Sequence, residues 1–127
     1  MTDTRTNAAI AAYFAATRAM DREAWVRTFA EQFEMHDPAG APPMRTHDAL
    51  RKFFDGILAL TEKVGLSEDH VFVCGDRAAV KWTGRGIGKN KKPITFEGID
   101  VFEVDSKGKI KSVQAYWVPE KLMAQLG

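Results

Sequence analysis

The 127-residue sequence has little that would announce a specialised environment. It holds one cysteine, Cys74, so no internal disulfide can form. No paired cysteine or histidine spacing accompanies it, which argues against a metal site, and His47 and His70 carry no metal-binding pattern either. Eighteen basic and 17 acidic residues leave a formal charge of +1, so charge selects no partner. The one basic cluster, Lys89-Asn-Lys-Lys92, follows Gly84, Gly86 and Gly88 and lacks interleaved aromatics; it reads as a solvated hairpin loop rather than a nucleic-acid contact. Long apolar runs are missing as well. Met1 to Asn7 is polar, and the apolar residues after it fall into a helical stripe, so neither a signal peptide nor a spanning segment is expected and cytoplasm is the default location. No internal repeat or linker is visible. With 45% apolar and 28% charged residues, the composition is that of an ordinary globular protein, and the length predicts one domain over residues 1–127.

What is present is periodic. Ile10, Tyr13, Phe14, Thr17 and Met20 mark one stripe of a helix from about Asn7 to Met20, with Tyr13 pointing inward. Asp21 suits the cap of a short second helix that carries Ala24, Trp25 and Phe29, and Phe33 to Asp37 reads as extended. Pro38, Gly40, Pro42 and Pro43 then break the chain. Thr46 caps a third helix, His47 to about Glu62, whose core face is Leu50, Phe53, Phe54, Ile57 and Leu58. Strands are predicted at about Leu66 to Cys74, Ala78 to Ile87, Ile94 to Val104 and Lys109 to Val118, joined by hairpin-type turns. Helices first and strands after argue for an α+β domain, a curved antiparallel sheet wrapped over packed helices.

Alternation along the strands shows what the sheet turns inward. In Ile94 to Val104, Asp100 shares a face with Phe96, Phe102 and Val104. A carboxyl on an apolar face is disfavoured in its charged form by up to roughly 4 to 7 kcal/mol, so it either stays neutral and donates a hydrogen bond, or accepts bonds from backbone amides or an arginine. Val80, Trp82, Gly84 and Gly86 form the inward face of another strand; Val113, Ala115 and Trp117 share a face on the last. Glycines and a small alanine among large aromatics suggest a pocket lined by Trp82, Trp117, Phe96 and Phe102 with gaps at Gly84, Gly86 and Ala115, although the same side chains can simply pack on the helices. In His36-Asp-Pro-Ala-Gly40, Pro38 restricts Asp37 to extended backbone, which suits either a carboxylate held at a pocket mouth or an ordinary turn.

Taken together these residues resemble the ketosteroid isomerase (steroid delta-isomerase) branch of the NTF2-like, or SnoaL-like, superfamily. The matching elements are the helical tyrosine in Ile10-Ala-Ala-Tyr-Phe-Ala-Ala16, Asp21, Asp-Pro-Ala-Gly at 37–40, Ile99-Asp-Val-Phe102, Gly108-Lys-Ile-Lys-Ser-Val113 and the aromatic strand Ala115 to Trp117. The resemblance implies a cone-shaped fold with a curved mixed or antiparallel sheet over three N-terminal helices. It implies cofactor-independent isomerisation of an apolar, steroid-like cyclic ketone, without metal. In that reading Asp37 is the general base, and Tyr13 and a protonated Asp100 donate hydrogen bonds to the substrate oxygen. Trp82, Gly84, Gly86, Phe54, Trp117, Ala115 and Phe102 would line the substrate site. A homodimer formed through the outer face of the sheet, with no nucleic-acid or membrane partner, is implied too.

The sequence also departs from the family pattern. Phe54 stands where these enzymes commonly carry a second tyrosine that braces the catalytic one, Trp117 where a smaller aromatic is usual, and Gly86 where a bulky apolar residue is frequent. His36 replaces the acidic residue before the base, as an exposed neighbour able to tune Asp37. These changes motivate two alternatives: a related proton-transfer enzyme of the polyketide cyclase or dehydratase type, and a noncatalytic small-molecule-binding module.

Overall fold

In the computed structural model, which describes residues 2–127, the elements run in the order α1 Thr2–Arg18, α2 Arg22–Arg27, β1 Phe29–His36, α3 His47–Leu60, β2 Thr61–Cys74, β3 Arg77–Gly88, β4 Pro93–Val104, β5 Ile110–Tyr116 and α4 Pro119–Met123. The five strands form one sheet ordered β1-β5-β4-β3-β2. The α+β class stands, and the sheet is mixed rather than wholly antiparallel. β1 pairs in parallel with β5, whereas the β2–β3, β3–β4 and β4–β5 pairs are antiparallel. The reason is connection length: β1 and β5 are separated by α3 and three strands, ample chain for a parallel crossover, while the other strands are joined by tight turns.

Local signals explain the helices. Asp21 caps α2 by accepting from the Ala24 amide at 3.0 Å, and Thr46 caps α3 by accepting from Ala49 at 3.1 Å. α1 begins at Thr2 rather than near Asn7. Asp3 sits in its first turn, where the helix dipole favours an acid, and Thr6, fully buried, donates to the Gly75 carbonyl at 2.8 Å. α3 stops at Leu60, short of Glu62, because Thr61 and Val64 enter β2, which is longer than expected. The chain ends with a short helix, α4, that the sequence pattern does not predict. It opens on Pro119 at its first turn and buries Leu122.

The concave face of the sheet holds the core. Phe14, Ile10, Met35, Leu50, Phe102, Ile110 and Val113 are fully buried between α1, α3 and the strands. Thr17 joins α1 to β2 by accepting from the Leu66 amide at 3.0 Å. Nearby, a Cβ on Gly65 would lie 2.9 Å from the Arg18 Cα, so glycine allows the helix and strand backbones to approach this closely. The effect is a close junction between α1 and β2, beside which a cavity opens. Among the described residues, no helix is long and apolar enough to cross a membrane.

Candidate active site

The cavity lies between the concave sheet and the helices and has a volume of about 80 Å³. Its helical wall comes from Tyr13 and Thr17 of α1, Trp25 of α2, and Phe53, Phe54, Ile57 and Leu58 of α3. The sheet contributes Val64, Gly65 and Leu66 of β2, Trp82 of β3, and Phe96 and Asp100 of β4, with Asp37 and Trp117 completing the lining. The polar groups are few and converge.

Asp100 arrives by strand alternation. It pairs with Val80 and Ala115 on the flanking strands and is 1% exposed, as its place on the apolar face of β4 requires. Its Oδ1 accepts a hydrogen bond from Trp82 Nε1 at 2.9 Å. Burial raises its pKa to about 8; the Trp82 N–H opposes the rise, and the nearby Asp37 charge adds to it. Asp37 follows directly on β1. The segment after it is held to β5 by the Ala39 amide, which donates to the Ala115 carbonyl at 2.7 Å, and the Asp37–Pro38 peptide is cis. Asp37 is half-buried, and its Oδ1 accepts from Trp117 Nε1 at 2.6 Å. Burial lifts its pKa to about 6 against the pull of the Trp117 N–H. Asp37 ionises first, so its charge resists ionisation of Asp100, whereas Asp100 is still neutral while Asp37 titrates.

Tyr13 is 2% exposed and packs edge-on to Phe102, with ring centroids 5.0 Å apart. Burial first, then the charges of Asp100 and Asp37, push its pKa well above the usual phenol value, so it is a neutral donor. Its hydroxyl makes no hydrogen bond of full geometry among the described residues, although the Trp25 N–H lies near enough to oppose the rise. The site therefore brings together one carboxyl that is mostly charged at neutral pH, one that is mostly neutral, and an uncommitted phenol, all within an apolar lining. Such a set can remove a proton from carbon and stabilise the oxyanion that results.

Of the residues read from the sequence, Asp37, Tyr13, Asp100, Trp82, Phe54 and Trp117 line this cavity; Gly84, Gly86, Ala115 and Phe102 do not. The glycine gaps are filled. A Cβ on Gly84 would lie 2.5 Å from the Phe96 ring, and one on Gly86 would lie 1.9 Å from the Lys63 carbonyl oxygen. The space at Gly84 is thus taken by Phe96 and that at Gly86 by the backbone of β2. Ala115 is buried under the strand and serves through its carbonyl, while Phe102 lies in the core behind Tyr13. His36 is half-buried rather than exposed and turns away from Asp37: its Nδ1 lies 3.2 Å from the Ala41 carbonyl and its Nε2 3.5 Å from Glu34. Eight lining residues carry no functional signal in the sequence: Phe53, Ile57 and Leu58 read only as the core face of α3, and Val64 and Leu66 only as part of a strand or its approach. Thr17 and Trp25 looked like core positions of amphipathic helices, and Gly65 carried no pattern at all.

Phe96, Trp82 and Trp117 form an aromatic cluster with centroids 5.7 to 6.2 Å apart. Gly98 permits it, since a Cβ there would lie 2.6 Å from the Trp82 ring and 2.8 Å from the Trp117 Cβ. Among the described residues, no three His, Cys, Asp or Glu side chains gather as metal ligands.

The fold has close counterparts among solved structures. The epoxide hydrolase/cyclase-like enzyme SalBIII, described in pyran ring formation in the polyether salinomycin, superposes with a TM-score of 0.83 at 24% identity, covering 95% of this chain and 97% of its own. A candidate polyketide cyclase from Xanthomonas campestris pv. campestris gives 0.80 at 18% identity and covers 100% of both chains. A Mycobacterium tuberculosis protein in complex with estradiol-17β-hemisuccinate gives 0.79 at 19% identity, covering 92% of this chain and 96% of its own. At these identities the likeness establishes the fold alone. The SnoaL-like domain model matches residues 10–113, a span that takes in Tyr13, Asp37 and Asp100 and ends before Trp117. The chain belongs to the SnoaL-like domain family of the NTF2-like superfamily.

Proposed function

We propose that this protein is a cofactor-independent enzyme that moves a double bond in a β,γ-unsaturated cyclic ketone. The observation that carries the reading is a pair of carboxyls in one apolar cavity, with pKa values near 6 and 8. At pH 7 about nine-tenths of Asp37 is ionised and about nine-tenths of Asp100 is protonated. Asp37 takes a proton from the carbon between the carbonyl and the double bond, and the electron pair moves onto the carbonyl oxygen to form a dienolate. Tyr13 and Asp100 donate hydrogen bonds to that oxygen. Asp37 then returns the same proton two carbons along, so no proton or electron is gained or lost. Trp117 holds the base by one oxygen and leaves the other for the substrate, as Trp82 does for Asp100.

A substrate of steroid size is favoured by the apolar lining and by the estradiol derivative bound to the Mycobacterium relative. The test follows the ultraviolet absorbance of the conjugated ketone formed from several β,γ-unsaturated ketosteroids. Native protein is expected to turn over, and Asp37→Asn to lose about 10²- to 10⁴-fold in kcat. Absence of native turnover, or equal turnover by the variant, overturns the assignment.

A second reading keeps the base and donors but gives them a smaller cyclic substrate, as in a polyketide cyclase. It is favoured by the cavity volume of about 80 Å³, below the roughly 300 Å³ at which sites for larger ligands begin, and by the cyclase-like relatives. Conversion of small cyclic ketones without conversion of ketosteroids selects this version.

A further inference from the structure

Three tryptophans reach the cavity, and two of them spend their N–H on an aspartate carboxyl group. The third, Trp25, is 2% exposed, and its Nε1 is the one buried side-chain polar atom without a hydrogen-bond partner among the described residues. A buried donor without an acceptor is costly and calls for an explanation. The indole is held from several sides: Phe29 packs edge-on at 5.2 Å, Phe53 stacks at 6.3 Å and Phe54 lies at 5.3 Å. Its polar neighbour is Tyr13, whose ring centroid is 5.8 Å away.

We propose that Trp25 is the positioning residue of Tyr13: its indole N–H donates to Tyr13 Oη and leaves the single phenolic proton to point into the cavity. This rests on the reading of Tyr13 as a donor to substrate oxygen. Nε1 is buried, so the Trp25 N–H acts on substrate through Tyr13, while the indole ring forms part of the cavity wall. The direction of its influence agrees, because the Trp25 N–H opposes the rise in Tyr13 pKa that burial causes, as a donor to a phenol oxygen must. The N–H falls short of full hydrogen-bond geometry at present. As the hydrogen bond from Tyr13 to a developing oxyanion strengthens, electron density grows on Oη, and the bond from Trp25 shortens and strengthens with it. Phe54 carries no hydroxyl and cannot brace Tyr13; its ring supports the indole that does.

The test reads nitrogen–proton NMR of the intact protein, in which the three indole N–H signals are assigned by single Trp→Phe variants. Tyr13→Phe keeps the ring and removes the acceptor. The Trp25 signal is expected to move upfield by more than those of Trp82 and Trp117; an unmoved Trp25 signal overturns the proposal. A second measurement replaces both tyrosines with fluorotyrosine, whose more acidic phenol titrates within reach, and follows position 13 against the exposed position 116 by fluorine NMR. Trp25→Phe is expected to raise the ionisation pH of residue 13 by about one unit, a tenfold weaker acid, with residue 116 unchanged. No change at residue 13 overturns the proposal, and if Trp25→Phe does not fold, the Tyr13→Phe spectrum decides alone. Neither readout uses turnover, so a failed isomerase assay and a failed positioning role are separate results.

Discussion

Asp37 and Asp100 have the same side chain and opposite roles in the proposed mechanism because they meet different neighbours. Both lose water, but Asp100 lies deep between two strands and also feels the charge of Asp37, so its pKa settles about two units higher. The dependence on pH follows directly. The proposed mechanism requires Asp37 charged and Asp100 neutral, so kcat/KM is expected to rise with pH through about 6 and fall through about 8, a bell measurable in a buffer series. A flat profile across that window refutes the pairing of roles. Asp100 also has a consequence for stability. Its folded pKa is raised, so its contribution is complete below the ordinary carboxyl value of 3.8 and is lost as pH rises toward about 8. At pH 7 the loss is on the order of 4 kcal/mol. Asp100→Asn stays neutral and can still accept from Trp82, so denaturant unfolding should find it more stable than native protein at pH 7, with the difference vanishing near pH 4. A variant less stable at both pH values would mean that the carboxyl is held by something other than its neutral form.

At the scale of elements, the strands were more legible than the spaces between them. Alternation placed Asp100, Phe102 and Val104 on one face of β4 correctly, because side-chain direction in a strand follows from the backbone alone. The glycines of β3 lay on the inward face as read, yet they leave no gap there. What fills the space opposite a glycine is decided by the partner strand: β2 shifts register between Thr61 and Lys63 and brings the Lys63 carbonyl against Gly86. Two glycine substitutions should therefore have opposite signs. Gly86→Ala is expected to lose about 2 kcal/mol or more, because backbone must move to admit the methyl group. Gly56→Ala, in the middle of α3 with open space around it, is expected to gain about 0.5 to 1 kcal/mol. Thermal melts of the two variants check both signs.

Across the whole molecule, the sheet has two faces with different fates. The concave face is closed by helices, while the convex face exposes Ile99, Val101 and Tyr116 around the Lys81–Glu97 ion pair. Apolar residues clustered on an exposed sheet face favour a partner surface, and a second copy of the chain is the partner proposed here. Light scattering is expected to return a dimer mass for native protein and a monomer mass for Val101→Lys; a monomeric native protein removes the proposal. The sequence by itself determined the class of fold, the helix caps at Asp21 and Thr46, and the inward sides of β3 and β4, because these depend on local periodicity and on groups a few residues apart. Tertiary structure alone decided which inward residues face a cavity and which face the core. It also decided that Trp82 and Trp117 each hold one carboxyl oxygen and that the Trp25 ring packs beside Tyr13. Those contacts join residues from distant parts of the chain, and no period within one segment encodes the distance between two.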